Sequence, residues 1–374
     1  MSTFARTDRS LLGRWWWTVD RWTLAALLAI AAAGLVLTLA ASPPVAERLG
    51  VDTFHFARRQ ALFLAAALAI IFATSVLGSR GVLRLGLTIF AVALVATAVT
   101  PFVGVSLKGA TRWISLAGLS VQPSEFVKVG LPVVTAWLFA RQRLEERFPG
   151  HVISSALMAS ICALLLLQPD VGTTLVAVAV WGTQLFVAGV SFGLIALVAM
   201  TILAGGIGTY FAFHHVQGRI DRFLDPDAGA GYQVGRSLEA FRGGGLFGRG
   251  PGEGQVKDVL PDAHADFIFA VAGEEFGLVA CLVVVALFAF VVLRGFTRVL
   301  AENEPFALFA VTGLLALFGL QAAVNMASGL HLIPPKGTTL PFISYGGSSA
   351  LALALAMGMV LALTRERPGV ESRR

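Results

Sequence analysis

Ten apolar runs, each about as long as a membrane-crossing helix, constrain this chain more than any other feature. They fall near residues 22–41, 60–78, 82–100, 124–141, 151–167, 171–190, 192–213, 267–293, 305–327 and 341–363, bounded by charges or by Pro and Gly. A helix rises about 1.5 Å per residue, so roughly 20 apolar residues cross a hydrocarbon layer of about 30 Å. The chain is 56% hydrophobic and only 13% charged, whereas a soluble domain carries about twice that share of charge. The expected fold is an all-α integral membrane protein, a polytopic bundle of about ten transmembrane helices. The runs at 151–167 and 171–190 are the weakest, parted only by Gln168-Pro169-Asp170. Cys162 and Cys281 lie within apolar runs and read as small buried hydrophobes, not as a disulfide or metal pair.

The basic residues orient the bundle. With the N-terminus cytoplasmic, fifteen arginines, from Arg6 to Arg374, fall on inside segments. The short outer connections then hold only Arg48, Arg58, Arg59 and Lys336, which satisfies the positive-inside rule. Both termini are expected in the cytoplasm: residues 1–21 as a leading segment, 22–364 as the transmembrane domain and 365–374 as a tail. The first run is too long for a signal-peptide core. The net charge of +6 follows from topology and membrane lipid, without nucleic acid as a partner. Two outer segments defy the rule. Lys108, Arg112 and Lys128 lie between the third and fourth runs, and Arg219, Arg222, Arg236, Arg242, Arg249 and Lys257 lie in a large loop spanning about 214–265. Long loops translocate whatever their charge, so these are either ordinary surface cations or an anion site for phosphate.

The polar clusters concentrate on that outer side. Asp266 stands where the loop becomes an apolar helix, beside His264, with Glu274 and Glu275 about two turns further in. A carboxylate at a membrane boundary is expensive and usually functional, although Asp266 is also a plausible helix cap. Helical geometry puts Glu274 about 12 Å deeper and roughly 80° around the axis, which suits the two glutamates for packing or cavity polarity. The segment 101–128 is too short to span and is expected to lie along the interface or re-enter. Within it Glu125 and Lys128 share a helical face and can pair. Asp170 is either a cap or a further site carboxylate. The glycine-rich run 242–257 contains no Walker A pattern and reads as a flexible connector or a pyrophosphate cradle. Asn325, Lys336 among Pro334, Pro335 and Gly337, and the polar opening of the last run from Ser344 to Ser349 complete the set.

The stretches KGATRWISLAGLSVQPSEFVK, QPDVGTTLV, GYQVGRSLEAFRGGGLFGRG, LPDAHADFIFAVAGEEFG and HLIPPKGTTLPFISYGGSS together resemble the SEDS family of bacterial cell-envelope proteins. The likeness covers most of the chain from about 100 to 365, with its motifs in the family's order. It implies ten helices in the bacterial cytoplasmic membrane and a peptidoglycan glycosyltransferase that polymerises lipid II at the outer face, working with a class B penicillin-binding protein. The motif wording is closer to the division-specific FtsW branch than to the elongation-specific RodA branch, which implies septal localisation and divisome partners. The family's essential aspartate falls on Asp266, its QPSE-and-lysine motif on Gln122, Glu125 and Lys128, its basic pair on Lys108 and Arg112, and its loop lysine on Lys257. Ala265 replaces the family's usual threonine, and Pro251-Gly252-Glu253-Gly254 replaces a more usual GLGxS. The expected roles are Asp266 as general base and Lys108, Arg112, Arg249, Lys257 and Lys336 as holders of the pyrophosphate. Gln122, Glu125, Lys128 and His264 are expected at the substrate, with Asp170, Glu274, Glu275, Asn325 and Ser344 as polar support. A divalent cation, Mg²⁺ or Mn²⁺, bound through Asp266 or Asp170, is the alternative means of holding the diphosphate, and a lipid II flippase is the alternative function.

Overall fold

The computed structural model describes residues 10–107, 110–116, 119–145, 147–191, scattered positions between 193 and 221, 231–334 and 337–365. A short helix, α1 (Leu11–Thr18), precedes four long apolar or nearly apolar helices and their connectors. These are α2 (Arg21–Leu49), α3 (His55–Ser75), α4 (Ser79–Val103) and, after an irregular segment, α5 (Pro123–Leu144). Next come α6 (Gly150–Leu167), α7 (Val171–Val187) and α8 (Gly231–Gly244). The chain closes with α9 (Ile268–Val299), α10 (Pro305–Gly329) and α11 (Gly347–Leu363).

Six of these, α2, α3, α4, α6, α9 and α10, are long and apolar enough to cross a membrane; α7 and α11 are shorter apolar helices. Every run expected from the sequence coincides with a helix except 192–213, most of which lies outside the described residues, as do Arg219 and Arg222. The protein is a multi-pass membrane helix bundle with α5 and α10 at its centre, where most of their residues are buried.

The segment 101–128, for which the sequence named no regular structure, contains a three-stranded antiparallel meander, β1 (Val105–Leu107), β2 (Ala110–Leu116) and β3 (Leu119–Val121). The bundle is otherwise helical among the described residues, so the meander is a small addition to a mostly α fold. Alternation of apolar and polar residues is the strand period, and it prevails here because Thr111, Trp113 and Ile114 favour extended backbone. Pro123 at the first position of α5 ends the meander and starts the helix, since its missing N–H costs nothing there.

Polar side chains fasten the bundle where lipid offers no hydrogen bonds. Gln184 of α7 is fully enclosed: its Nε2 donates to the carbonyls of Pro132 (2.8 Å) and Phe309 (2.9 Å), and Thr135 Oγ1 donates to its Oε1 (2.6 Å). At the opposite end of α9, Asp20 caps α2 and receives two bonds from Arg294, Nε at 2.7 Å and Nη2 at 2.8 Å. Burial acts to raise the Asp20 carboxyl, but bonds from Arg294 and Thr23 with the nearby Arg298 outweigh it and hold the group below its ordinary value.

Helix α9 is broken at Gly277 (φ 77°, ψ −175°), a conformation open only to glycine. The glycine-rich loop after α8 threads into the break. Arg249 N and Gly250 N donate to the carbonyls of Glu274 and Glu275 (both 3.0 Å), while Leu278 N and Val279 N donate to the carbonyls of Gly245 (2.9 Å) and Leu246 (3.2 Å). The groups freed by the kink thus find partners, as buried backbone requires. The close approach demands small residues. A Cβ on Gly244 would lie 1.9 Å from the Gly273 carbonyl oxygen, and one on Gly248 2.1 Å from that of Glu275.

Candidate functional site

Asp266 does not begin α9, as expected; it lies just before the cap residue Phe267, in a turn closed by Ala265 N and Phe267 N on the carbonyl of Asp262. Three consecutive carbonyls of this turn are held from outside. Tyr345 N donates to His264 O (2.9 Å), Ser344 Oγ to Ala265 O (2.6 Å) and Asn325 Nδ2 to Asp266 O (3.1 Å). The backbone of the turn is therefore fixed against α10 and the segment that opens α11.

That opposing segment is itself pinned. Gln60 of α3 donates to the carbonyl of Ser344 (3.2 Å), and Gly34 of α2 touches the Phe342 carbonyl so closely that a Cβ would lie 2.2 Å away. Gly337, with φ of +64°, passes over the Asp266 carboxylate; an added Cβ there would lie 3.7 Å from Oδ2. Asp266 is partly exposed, whereas Glu125, Asp170, Glu274 and Glu275 are buried.

His264 lies in this wall, its ring centroid 4.3 Å from Phe56 and 5.4 Å from Tyr345. Burial pushes its imidazole down to about 4, with Asp262 acting upward and Arg48 downward, so the ring is neutral near pH 7. Its Nδ1 is buried without a hydrogen-bond partner.

The outer cations divide into two groups. Lys128 Nζ pairs with Glu125 Oε1 (2.7 Å) across one helical face, as the spacing implies, and donates to Gln321 Oε1 (3.1 Å). Arg112 fastens the meander to the α6–α7 turn: Nε donates to Gln168 O (3.2 Å), Nη2 to Pro169 O, and Nη1 faces Asp170 Oδ1 at 3.5 Å. Asp170 also caps α7 through Thr173 N (3.2 Å). Arg249 donates to Gly243 O and Gln255 Oε1. Lys257 is buried, paired with Glu275 and bonded to Gly252 O (3.0 Å). Arg112, Arg249 and Lys257 all meet protein acceptors in this structure. Lys108 and Lys336 lie outside the described residues.

Glu274 and Glu275 take the supporting role read from helical geometry. Glu274 accepts the backbone N–H groups of Gln255 (2.7 Å), Val256 (2.8 Å) and Lys257 (3.1 Å), which draws the loop onto the outer half of α9. Gln122 N donates to Ser348 Oγ (3.1 Å), tying the meander to α11. The residue that sequence reasoning missed is Gln321, buried in α10 and bonded to Lys128, Thr339 and Ser349. Its signal was visible: two amides, Gln321 and Asn325, four residues apart in an apolar run. Among the described residues, no group of three or more His, Cys, Asp or Glu side chains is placed to hold a metal ion.

The family model for the cell cycle proteins FtsW, RodA and SpoVE matches residues 21–368. The chain belongs to the FtsW/RodA/SpoVE family. A Caulobacter vibrioides protein named probable peptidoglycan glycosyltransferase FtsW is 47% identical over 98% of this chain and 94% of its own. The FtsW of Aliivibrio salmonicida, named in the same way, is 35% identical over 93% of this chain and 89% of its own. Among solved structures, a chain described in terms of structural coordination of polymerization and crosslinking by a peptidoglycan synthase complex superposes with a TM-score of 0.76. It is 27% identical and covers 92% of this chain and 97% of its own. The rod shape determining protein RodA of Thermus thermophilus gives a TM-score of 0.70 at 26% identity, covering 93% of this FtsW/RodA/SpoVE chain and 97% of its own.

Proposed function

We propose that this chain is a peptidoglycan glycosyltransferase of the FtsW type, polymerising lipid II at the outer face of the cytoplasmic membrane during division. The FtsW names of relatives covering nearly the whole chain support both the activity and the branch. The observation that carries the chemistry is Asp266: a partly exposed carboxylate on a turn held through three carbonyls, beneath Gly337, while Glu125, Asp170, Glu274 and Glu275 are buried.

In the reaction, Asp266 takes the proton from the 4-hydroxyl of one lipid-linked sugar as its oxygen bonds to the anomeric carbon of another. The bond from that carbon to the pyrophosphate breaks, and undecaprenyl pyrophosphate leaves with the electron pair. A carboxylate on a fixed backbone is an effective base because much of its orientation is settled before reaction. Lys108, Arg112, Arg249, Lys257 and Lys336 are the expected holders of the diphosphate; Arg112, Arg249 and Lys257 would exchange their present protein acceptors for it. A Mg²⁺ or Mn²⁺ ion at Asp266 would depend on substrate oxygens and water for the rest of its shell. The polyprenyl tail has a place in an apolar groove of about 460 Å³, lined by Ile89, Val92, Ala93, Ile114, Phe126 and Leu355. The partner is a class B penicillin-binding protein, in line with the synthase complex to which the fold is similar.

The test is polymerisation of labelled lipid II by the purified protein with its penicillin-binding partner. Asp266→Asn is expected to fold normally and make no glycan strands. Full-length product from that variant overturns the assignment.

A further inference from the structure

Gln321 and Asn325 lie one turn apart on α10, so their side chains leave the same face. Both are buried, at 1% exposure each, within a helix surrounded by other helices. An amide is costly in such a place unless its bonds are made. Their orientations follow from chemistry. The Lys128 ammonium can only donate, so the Gln321 oxygen must face it and the nitrogen must turn the other way. That nitrogen reaches Thr339 O (3.2 Å), Thr339 Oγ1 (3.1 Å) and Ser349 Oγ (2.9 Å). Asn325 Nδ2 faces two carbonyls, Thr338 O at 2.6 Å and Asp266 O at 3.1 Å, which can only accept, while its Oδ1 is buried without a hydrogen-bond partner, so the donor side alone holds it.

The two amides therefore grip consecutive residues, Thr339 and Thr338, of the segment whose preceding residue, Gly337, passes over the Asp266 carboxylate. The lower amide also holds the Asp266 peptide itself. We propose that Gln321 and Asn325 form a two-rung amide ladder that sets the position of the 337–339 segment relative to Asp266, with the Lys128–Glu125 ion pair as its foot. They are positioning residues for the transferase reaction, and the inference rests on Asp266 being the base. Neither amide needs to touch substrate. Each acts by keeping the carboxylate and the backbone over it in one geometry.

The experiment uses isosteric changes that convert donors into acceptors, Gln321→Glu and Asn325→Asp, in the full chain with its penicillin-binding partner. Steady-state polymerisation of labelled lipid II is read beside the melting temperature in detergent. The expected result is a fall in kcat of about 10-fold or more for each variant, since small misplacements of reacting groups cost up to about 10²-fold. KM should stay within about twofold and melting should remain cooperative, the pattern for loss of an interaction made in the transition state. If Gln321→Glu does not accumulate as folded protein, Ser349→Ala removes an acceptor of the same amide and carries the same expectation. Unchanged kcat, a rise in KM alone, or a loss of rate matching the loss of folded protein would each overturn the proposal. Asp266→Asn run alongside separates the two readings. If it polymerises normally, the base assignment fails; if it is inactive while the ladder variants are normal, only the ladder fails.

Discussion

The two halves of α9 are read as one apolar run in sequence, apart from Glu274 and Glu275, and have opposite surroundings in space. From Ile268 to Glu275 every residue is buried. Two glutamates in this half hold the loop, and the loop's own backbone enters the break at Gly277. Beyond the break the helix presents Leu278, Val279, Leu282 and Val283 outward, each about half exposed, and becomes polar again only where Arg294 meets Asp20. The outer half is a piece of site architecture that happens to be helical, and the inner half is a membrane anchor. Function is built where backbone continuity is given up and tertiary contacts replace it.

The strongest way to break this contrast is Glu275→Leu. It leaves the Lys257 ammonium buried without its partner, a change that costs about 3–5 kcal/mol. Thermal unfolding in detergent should show a correspondingly large fall in melting temperature, and an unchanged melting temperature would mean that the loop is not fastened through this pair.

Next in size is the pH response of His264. Burial lowers its folded pKa to about 4 from an ordinary 6.5, so its contribution to stability is fully present above about pH 6.5 and is lost as pH falls toward 4. The swing is about 3 kcal/mol. His264→Gln should flatten the decline of stability across that window, and an identical pH profile for the two proteins would refute it. The smallest effect belongs to the inner half. Leu282→Ala, 57% exposed on the lipid-facing surface in the wild type, should move stability by no more than about 0.5 kcal/mol. A drop as large as that of Glu275→Leu would erase the distinction between the halves.

Much of this was legible before any coordinates. The helices follow from run length, and the Glu125–Lys128 pair from a three-residue spacing. The capping role of Asp170 was one of its two open readings. Asp266 stood out because a carboxylate at the mouth of an apolar helix has few other reasons to be there. The meander at 105–121 was missed because its alternation was judged against membrane length instead of strand period. The protein partners of the cations were hidden for a different reason. Arg112 finds the carbonyls of Gln168 and Pro169 and the Asp170 carboxylate far away in sequence. Lys257 reaches from the loop to Glu275 of α9, and Arg249 bonds within its own folded loop; local pattern does not encode such partners.

By itself, the sequence determined a multi-pass helical bundle and marked Asp266 at the mouth of an apolar helix, because hydrophobic length and charge cost are properties of the residues alone. Only the tertiary structure decided which polar groups face each other. It put three foreign donors on the carbonyls around Asp266, a glycine loop into the break of α9 and two amides of α10 under the Gly337 turn. Hydrogen bonds are short and directional, so which donor meets which acceptor depends on the packing of elements that the chain brings together only when it folds.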